Sequence, residues 1–362
     1  MKKIFIAATS QNDGKTTCCL GLIRNLQGRF KKVGFIKPIG QRYLEEEGQK
    51  IDEDSLLIED VCGIKCTLKD MSPIAVEKGF TERYIANPDK NSITGQIQSA
   101  FGRVSKDQDL VVIEGTGHAG VGSVFDHSNA HVAKLLGAKV IIISSGGVGR
   151  PIDEIVLNKA LFDKIGVKIL GVVVNKVLPA KFDKINRLVR KGLVRQGINV
   201  LGVLPYDPLL ARPTIKQIIE ETEFELLYGK EFCESPANNI IVGAMQPKDA
   251  LKYITDDSLL ITPGDREDMI TAALNCFREN DRGRLKISGI IISGEDIPDD
   301  PVMYALSRAK IPVLLSKTDT YNVASRIHDL TVKIRPQDTA KINAVIKLVK
   351  DYVDLDTILK GM

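Results

Sequence analysis

Lys15 and Thr16, set behind a glycine in Thr9-Ser10-Gln11-Asn12-Asp13-Gly14-Lys15-Thr16-Thr17, are the residues of this chain best suited to handling phosphate. Backbone N–H groups of such a loop and of the helix it opens supply partial positive charge. The lysine neutralises the outer phosphates, and the threonine hydroxyl can hold magnesium. The full pattern places a glycine six residues before the lysine, where this chain has Thr9 with Ala8 beside it, so the loop is a variant. The plainer alternative is a strand, turn and helix with Lys15 simply exposed. The apolar run Ile4 to Ala8 before the loop and the helical pattern after it favour the phosphate cradle.

A carboxylate is the natural complement of such a loop. Glu114 ends Leu110-Val111-Val112-Ile113-Glu114-Gly115-Thr116-Gly117, where it can hold the metal or a metal-bound water. Asp52 and Asp54 open a helical pattern; one is a second metal-directed acid, or both complement the positive end of the helix. Lys37, before Pro38, ends another apolar run. It either brings a cation to the transferred phosphoryl group or an acidic substrate, or is a surface lysine before a turn. Asn175 offers a donor and an acceptor to a base edge, or serves as a turn residue. His118 lies in the loop beside Glu114, within reach of a substrate. His127 and His131 have the spacing of a metal-binding helix, but Asp126 reads more simply as an N-cap, and we assign no zinc site. Ser144 to Gly149 reads as a strand-end loop serving chain reversal.

The elements that must position these residues are legible as apolar runs. They lie at Ile4–Ala8, Lys32–Lys37, Leu110–Glu114, Val140–Ser144, Ile169–Asn175 and Val200–Leu204, separated by segments of helical period. These predict buried parallel strands in a doubly wound α/β sheet of P-loop NTPase type, with ligands at the carboxyl ends of the strands. After about Leu210 the pattern changes. A charged, irregular stretch from Glu220 to Asn239 precedes new strands at Ile240–Met245, Ser258–Thr262, Ile287–Ile292 and Pro312–Leu315. Helices are expected at Arg266–Arg278, Pro301–Ala309, Thr320–Ile327 and Gln337–Tyr352. The expected division is 1–219, a smaller α/β domain at 220–335, and a C-terminal helix within 336–362.

With 362 residues, 43% of them apolar, the chain can bury a substantial core. No apolar run reaches the roughly 20 residues a bilayer requires. The Lys2-Lys3 start runs directly into a strand, so a cytoplasmic location with no membrane partner is expected. A net charge of +4, dispersed along the chain, argues against nucleic acid. The basic run Lys181, Lys184, Arg187, Arg190, Lys191 and Arg195 reads as a solvated helix face. Six scattered cysteines (Cys18, Cys19, Cys62, Cys66, Cys233, Cys276) indicate reduced, buried thiols.

In the order and spacing of Thr9 to Thr17, Lys37-Pro38, Glu114-Gly115-Thr116-Gly117, Asn175 and Gly202-Val203-Leu204-Pro205-Tyr206, residues 1 to 215 resemble the dethiobiotin synthetase family of P-loop proteins. The resemblance implies ATP and magnesium as cofactors, with Lys15 and Lys37 facing phosphate, Thr16 and Glu114 the magnesium and Asn175 the adenine. The expected nucleotide-binding set is thus Gln11, Asn12, Asp13, Gly14, Lys15, Thr16, Thr17 and Asn175. The expected metal set is Thr16, Asp54 and Glu114, and the catalytic set Lys15, Lys37 and Glu114. Gln11-Asn12 replaces the family's usual threonine and acid, Thr116-Gly117-His118 replaces its glycine pair, and Ser10 stands where related dimeric regulators carry a second lysine. The biotin-precursor substrate is therefore not carried over.

Residues 258 to 328 resemble a DRTGG domain through Gly264-Asp265-Arg266, which opens a helix, and the strand ending in Ser293-Gly294. Asp265 and Arg266 pair or cap that helix, or form a small anion pocket. The two domains in this order resemble the amino-terminal part of long bacterial phosphotransacetylases. Because the sequence stops at Met362, acetyltransferase activity is expected to be absent. The expected function is an ATP- and magnesium-binding protein with ATPase, kinase or ligase activity on a small carboxylate or amine. Its alternative is a nucleotide-dependent sensor acting through DRTGG on a partner enzyme. A homodimer is expected.

Overall fold

The structure, a computed structural model, describes residues 1–46, 48–279 and 287–362. The chain divides into two compact units, Met1–Asp207 together with Ile334–Met362, and Pro208–Lys333. The expected third piece, 336–362, therefore belongs to the first unit. Its physical reason is a glycine. Helix α1 (Lys15–Leu26) carries Gly21, where a Cβ would lie 2.4 Å from Val349 Cγ2, so only glycine lets the helix Thr339–Tyr352 pack this closely. Asn25 Nδ2 also donates to the Ile346 carbonyl at 2.9 Å.

The first unit is built on six parallel strands: β1 (Lys2–Ala8), β2 (Val33–Ile36), β3 (Leu110–Glu114), β4 (Lys139–Ser145), β5 (Ile169–Val177) and β6 (Val200–Pro205). Their order is β6-β5-β4-β1-β3-β2. Phe5 and Ala7 of β1 join one core with residues of the helices Lys90–Ser105, Arg150–Ile165 and Phe182–Arg195. Ile4 and Ile6, which alternate with them along the strand, are equally buried. Both faces of the sheet are thus covered, as its unbroken apolar strands require. Strand β1 is central, and its neighbour β3 brings Glu114 to the same edge as the loop that follows β1.

Between β2 and the helix α2 (Glu53–Cys62) the chain makes an antiparallel hairpin, Tyr43–Glu46 with Gln49–Asp52. The segment carries no strand signal in sequence, because its residues are too polar to stand out as an apolar run. The hairpin delivers Asp52 as the N-cap of α2, its side chain accepting from Asp54 N at 3.0 Å.

The second unit has a five-stranded sheet: β7 (Glu225–Tyr228), β8 (Asn239–Val242), β9 (Ser258–Pro263), β10 (Ile287–Ser293) and β11 (Val313–Ser316), in the order β7-β11-β10-β9-β8. All pair in parallel except β7, which runs antiparallel to β11. Strand β7 lies within the stretch expected to be irregular. It is an edge strand with a charged start, so it shows neither the alternation nor the continuous apolar run that marks a strand in sequence. The helices Glu267–Glu279, Asp300–Ser307 and Thr320–His328 follow the expected ones closely.

Candidate functional site

The loop after β1 is held open by its own residues. Gly14 caps α1 at φ 96°, a left-handed conformation that glycine adopts without strain, and no side chain caps the helix. No acidic residue occupies the first turn of α1. Its leading N–H groups are therefore left to an anion, and no carboxylate within the helix opposes one. Inside the loop the buried Asp13 carboxylate accepts from Thr9 Oγ1 and from Ser10 N, each at 2.7 Å. Burial pushes its pKa up against these bonds. Thr9 thus has a function where the fuller pattern has glycine: it braces Asp13. The Lys15 ammonium lies 3.4 Å from the Ser10 carbonyl, and burial lowers its pKa while Glu114 raises it. Gln11, exposed, donates through Nε2 to Gln41 Oε1 at 3.3 Å, and Thr17 is half-buried.

Asn175 does not point away from this loop toward a base. Its Nδ2 donates to the Asp13 carbonyl at 2.9 Å, and its Oδ1 accepts from Lys176 N at 2.9 Å. A Cβ on Gly14 would lie 2.3 Å from that Nδ2. The amide thus supports the loop from beneath, and Lys176 Nζ adds a bond to the Asn12 carbonyl at 2.6 Å.

Thr16 and Glu114 meet directly: the threonine hydroxyl donates to Glu114 Oε1 at 2.8 Å. Glu114 is fully buried, and its Oε2 has no hydrogen-bond partner among the described residues. Burial, with Asp54 nearby, pushes its carboxyl up to about 7, while Lys37, Thr16 and Lys15 oppose the shift. Lys37 is not a surface lysine. Its ammonium is 2.8 Å from Asp52 Oδ1, hydrogen-bonded to Asp54, and 3.9 Å from Glu114 Oε1. Burial disfavours this charge, but Asp54, Asp52 and Glu114 outweigh it and hold its pKa well above the ordinary value.

Among the described residues no group of three or more His, Cys, Asp or Glu side chains is arranged to hold a metal ion alone. The donor set here, one hydroxyl and at most two carboxylates, suits magnesium in particular. That ion keeps several waters and takes its remaining ligands from phosphate oxygens. The orphaned Oε2 of Glu114 beside the Thr16 hydroxyl is the observation that fits it.

The loop after β3 is clamped from the side. Asn129 Oδ1 accepts from Thr116 N at 3.0 Å, and its Nδ2 donates to the carbonyls of Thr116 and His118 at 2.7 and 2.6 Å. Asn158 Oδ1 accepts from Ala119 N at 2.7 Å. His118 is left exposed on this loop. Neither asparagine was singled out in sequence, and no local motif marks them. His127 and His131 do not converge: His127 bonds Phe125 O and Thr94 Oγ1, and His131 bonds Ser128 Oγ. Ser128, not Asp126, caps the helix Asn129–Leu135, because Asp126 lies in a left-handed turn and accepts from the Tyr84 hydroxyl.

In the second unit Arg266 pairs with Asp268, at 2.8 and 3.1 Å, and not with Asp265. It also donates to the carbonyls of Gly243 and Met245, at 3.1 and 3.0 Å, so it braces the turn after β8. Cys18, Cys19, Cys62, Cys66 and Cys233 are free thiols. The side chain of Cys276 lies outside those described.

Residues 2–214 match the family model described as an AAA domain, and residues 217–330 the DRTGG domain. The phosphate acetyltransferase of Pseudomonas putida is 26% identical over 373 residues, covering 98% of this chain and 51% of its own length. That of Nitratidesulfovibrio vulgaris is 26% identical over 366 residues, covering 97% and 50%. The chain thus spans about half the length of the curated relatives it matches. Among solved structures, the MinC:MinD cell division complex of Aquifex aeolicus aligns at 15% identity over 58% of this chain and 83% of its own, with a TM-score of 0.38.

These relatives overturn the expectation that excluded a phosphotransacetylase. That exclusion rested on where the sequence stops, whereas nearly the whole chain aligns with proteins named for that activity. The exclusion is therefore withdrawn, and the likeness to phosphate acetyltransferases stands as a likeness of sequence. With Thr16, Glu114 and the cradle of Gly14 in place, and the family model spanning residues 2–214, this chain belongs to the AAA domain family, followed by a DRTGG domain.

Proposed function

We propose that this chain is the nucleotide-binding part of a phosphotransacetylase-related protein, in which ATP with magnesium occupies the loop from Thr9 to Thr17 and its occupancy adjusts acetyl transfer to phosphate. The observation that carries the nucleotide reading is the Thr16–Glu114 hydrogen bond beside an uncapped helix start. Lys15 would neutralise the outer phosphates, and Thr16 and Glu114, with Asp54, would hold the magnesium. Lys37 would contribute a further positive charge at the phosphoryl end. Asn175 would act by fixing Asp13, not by reading the base.

Calorimetric titration of ATP with magnesium tests this reading on the wild type and on Lys15→Ala. Binding that the variant loses supports it, and no binding at concentrations able to detect roughly 100 μM affinity sinks it. In the acetyl-transfer reaction of the protein that carries this chain, ATP with magnesium is expected to shift the rate, and Lys15→Ala to remove the shift. A homodimer in the cytoplasm belongs to the same reading. The open edge of the second sheet, β8, exposes Ile240 and Val242, and no described helix is long and apolar enough to cross a membrane. Light scattering at micromolar concentration tests the dimer.

A further inference from the structure

Lys37 and a bound magnesium ion would draw on the same carboxylates. In the structure the Lys37 ammonium is bonded to Asp54 and stands 3.9 Å from Glu114 Oε1, while these two acids are the ones fitted to the metal. An ammonium and a divalent cation repel strongly at such separations, more so in a buried site. Either Lys37 leaves the site when the metal arrives, or a third anion holds it nearby.

Asp52 is built to be that third anion. Its Oδ1 is 2.8 Å from Lys37 Nζ, and the same oxygen accepts from Asp54 N at 3.0 Å as the cap of α2. The Asp52 backbone N–H donates to Ser72 Oγ at 3.0 Å. The residue is 1% exposed, and its Oδ2 has no hydrogen-bond partner among the described residues. Gly40 presses against it so closely that a Cβ there would lie 2.5 Å from Oδ2. Asp52 therefore has little room to turn, whereas Lys37, on a flexible four-carbon stem, can pivot.

We propose that Asp52 is a positioning residue: it retains Lys37 at the site while Asp54 and Glu114 turn to the magnesium that accompanies ATP. This rests on the reading of the loop as an ATP and magnesium site. The two ligand-free partners of Lys37 become partners of the metal, and Asp52 remains the fixed point about which the lysine swings.

The test is a magnesium titration in the presence of ATP, followed calorimetrically, on the wild type, Asp52→Asn, Lys37→Met and the double variant, with ATP alone measured beside it. Asparagine caps a helix as well as aspartate, so Asp52→Asn removes the charge and keeps the cap. Should it fail to fold by circular dichroism, Asp52→Ser, which also caps, replaces it.

We expect Asp52→Asn to raise the magnesium concentration for half-saturation roughly tenfold, the size of one hydrogen bond to a charged group. In the Lys37→Met background, where the metal has no rival, the same substitution should have almost no effect, and Asp52→Asn should leave binding of ATP alone at the wild-type level. An equal loss in both backgrounds, or no loss in either, overturns the positioning role while the ATP reading stands. A wild type that takes up no ATP overturns that reading, and this inference with it.

Discussion

Glu114 carries an unusual load for a single side chain. Its carboxyl is raised to about 7 by burial and by the neighbouring Asp54, from an ordinary value of 4.5. A raised acid binds more protons folded than unfolded, so its contribution to stability is complete below about pH 4.5 and is lost as pH rises toward 7. Glu114→Gln should therefore stabilise the protein at pH 8 relative to wild type, by up to about 3 kcal/mol, and the advantage should vanish near pH 5. Urea unfolding at the two pH values measures this, and a pH-independent difference would refute it. Gly14→Ala makes a second case, since the new methyl meets Asn175 at a positive φ. We expect a loss of about 1–3 kcal/mol in thermal unfolding and the abolition of nucleotide binding.

The placing of some of these residues at one site was legible in sequence. Lys15, Thr16 and Glu114 announce themselves because one loop and one strand end carry them. The partners of Lys37 were not legible, since Asp52 and Asp54 reach it through a polar hairpin that looks like a loop. Arg266 was misjudged for a similar reason: the carbonyls it braces, at Gly243 and Met245, are distant in sequence and carry no motif.

Elements show the same division. Strands buried on both faces are written as continuous apolar runs, and the six strands of the first sheet lie within two residues or so of their expected bounds. The short β7 with its charged start and the polar Tyr43–Asp52 hairpin carry no such signature, and both went unseen. The packing of α1 against the helix Thr339–Tyr352 was equally hidden, although Gly21, Val345 and Val349 are all visible residues. Nothing local says that a glycine in one helix awaits a valine more than 300 positions later. The contact itself makes a sharp prediction. Gly21→Val should cost about 1–3 kcal/mol through overpacking, and Gly21→Ala less, as read by denaturant unfolding. Equal stability of all three proteins would show that the two helices do not meet as described.

At the scale of the whole molecule, the second unit is an insertion: the chain leaves the first unit after Asp207 and re-enters it at Ile334. Residues 1–207 alone should then be unstable, because the apolar face of α1 and the edge strand β6, which meets Val353 through Gly202, lose their cover. Replacing 208–333 by a flexible linker of about 15–20 residues should restore a cooperative transition, whereas deleting 334–362 should not. Circular dichroism melts of the three fragments decide it.

Synthesis adds an order in time. A ribosome working at roughly 5–20 residues per second delivers the whole second unit before the helix that completes the first. The nascent phosphate-binding half must wait, its α1 groove still open, while a self-contained α/β unit forms downstream of it. Chaperone dependence in the cell should follow that interval.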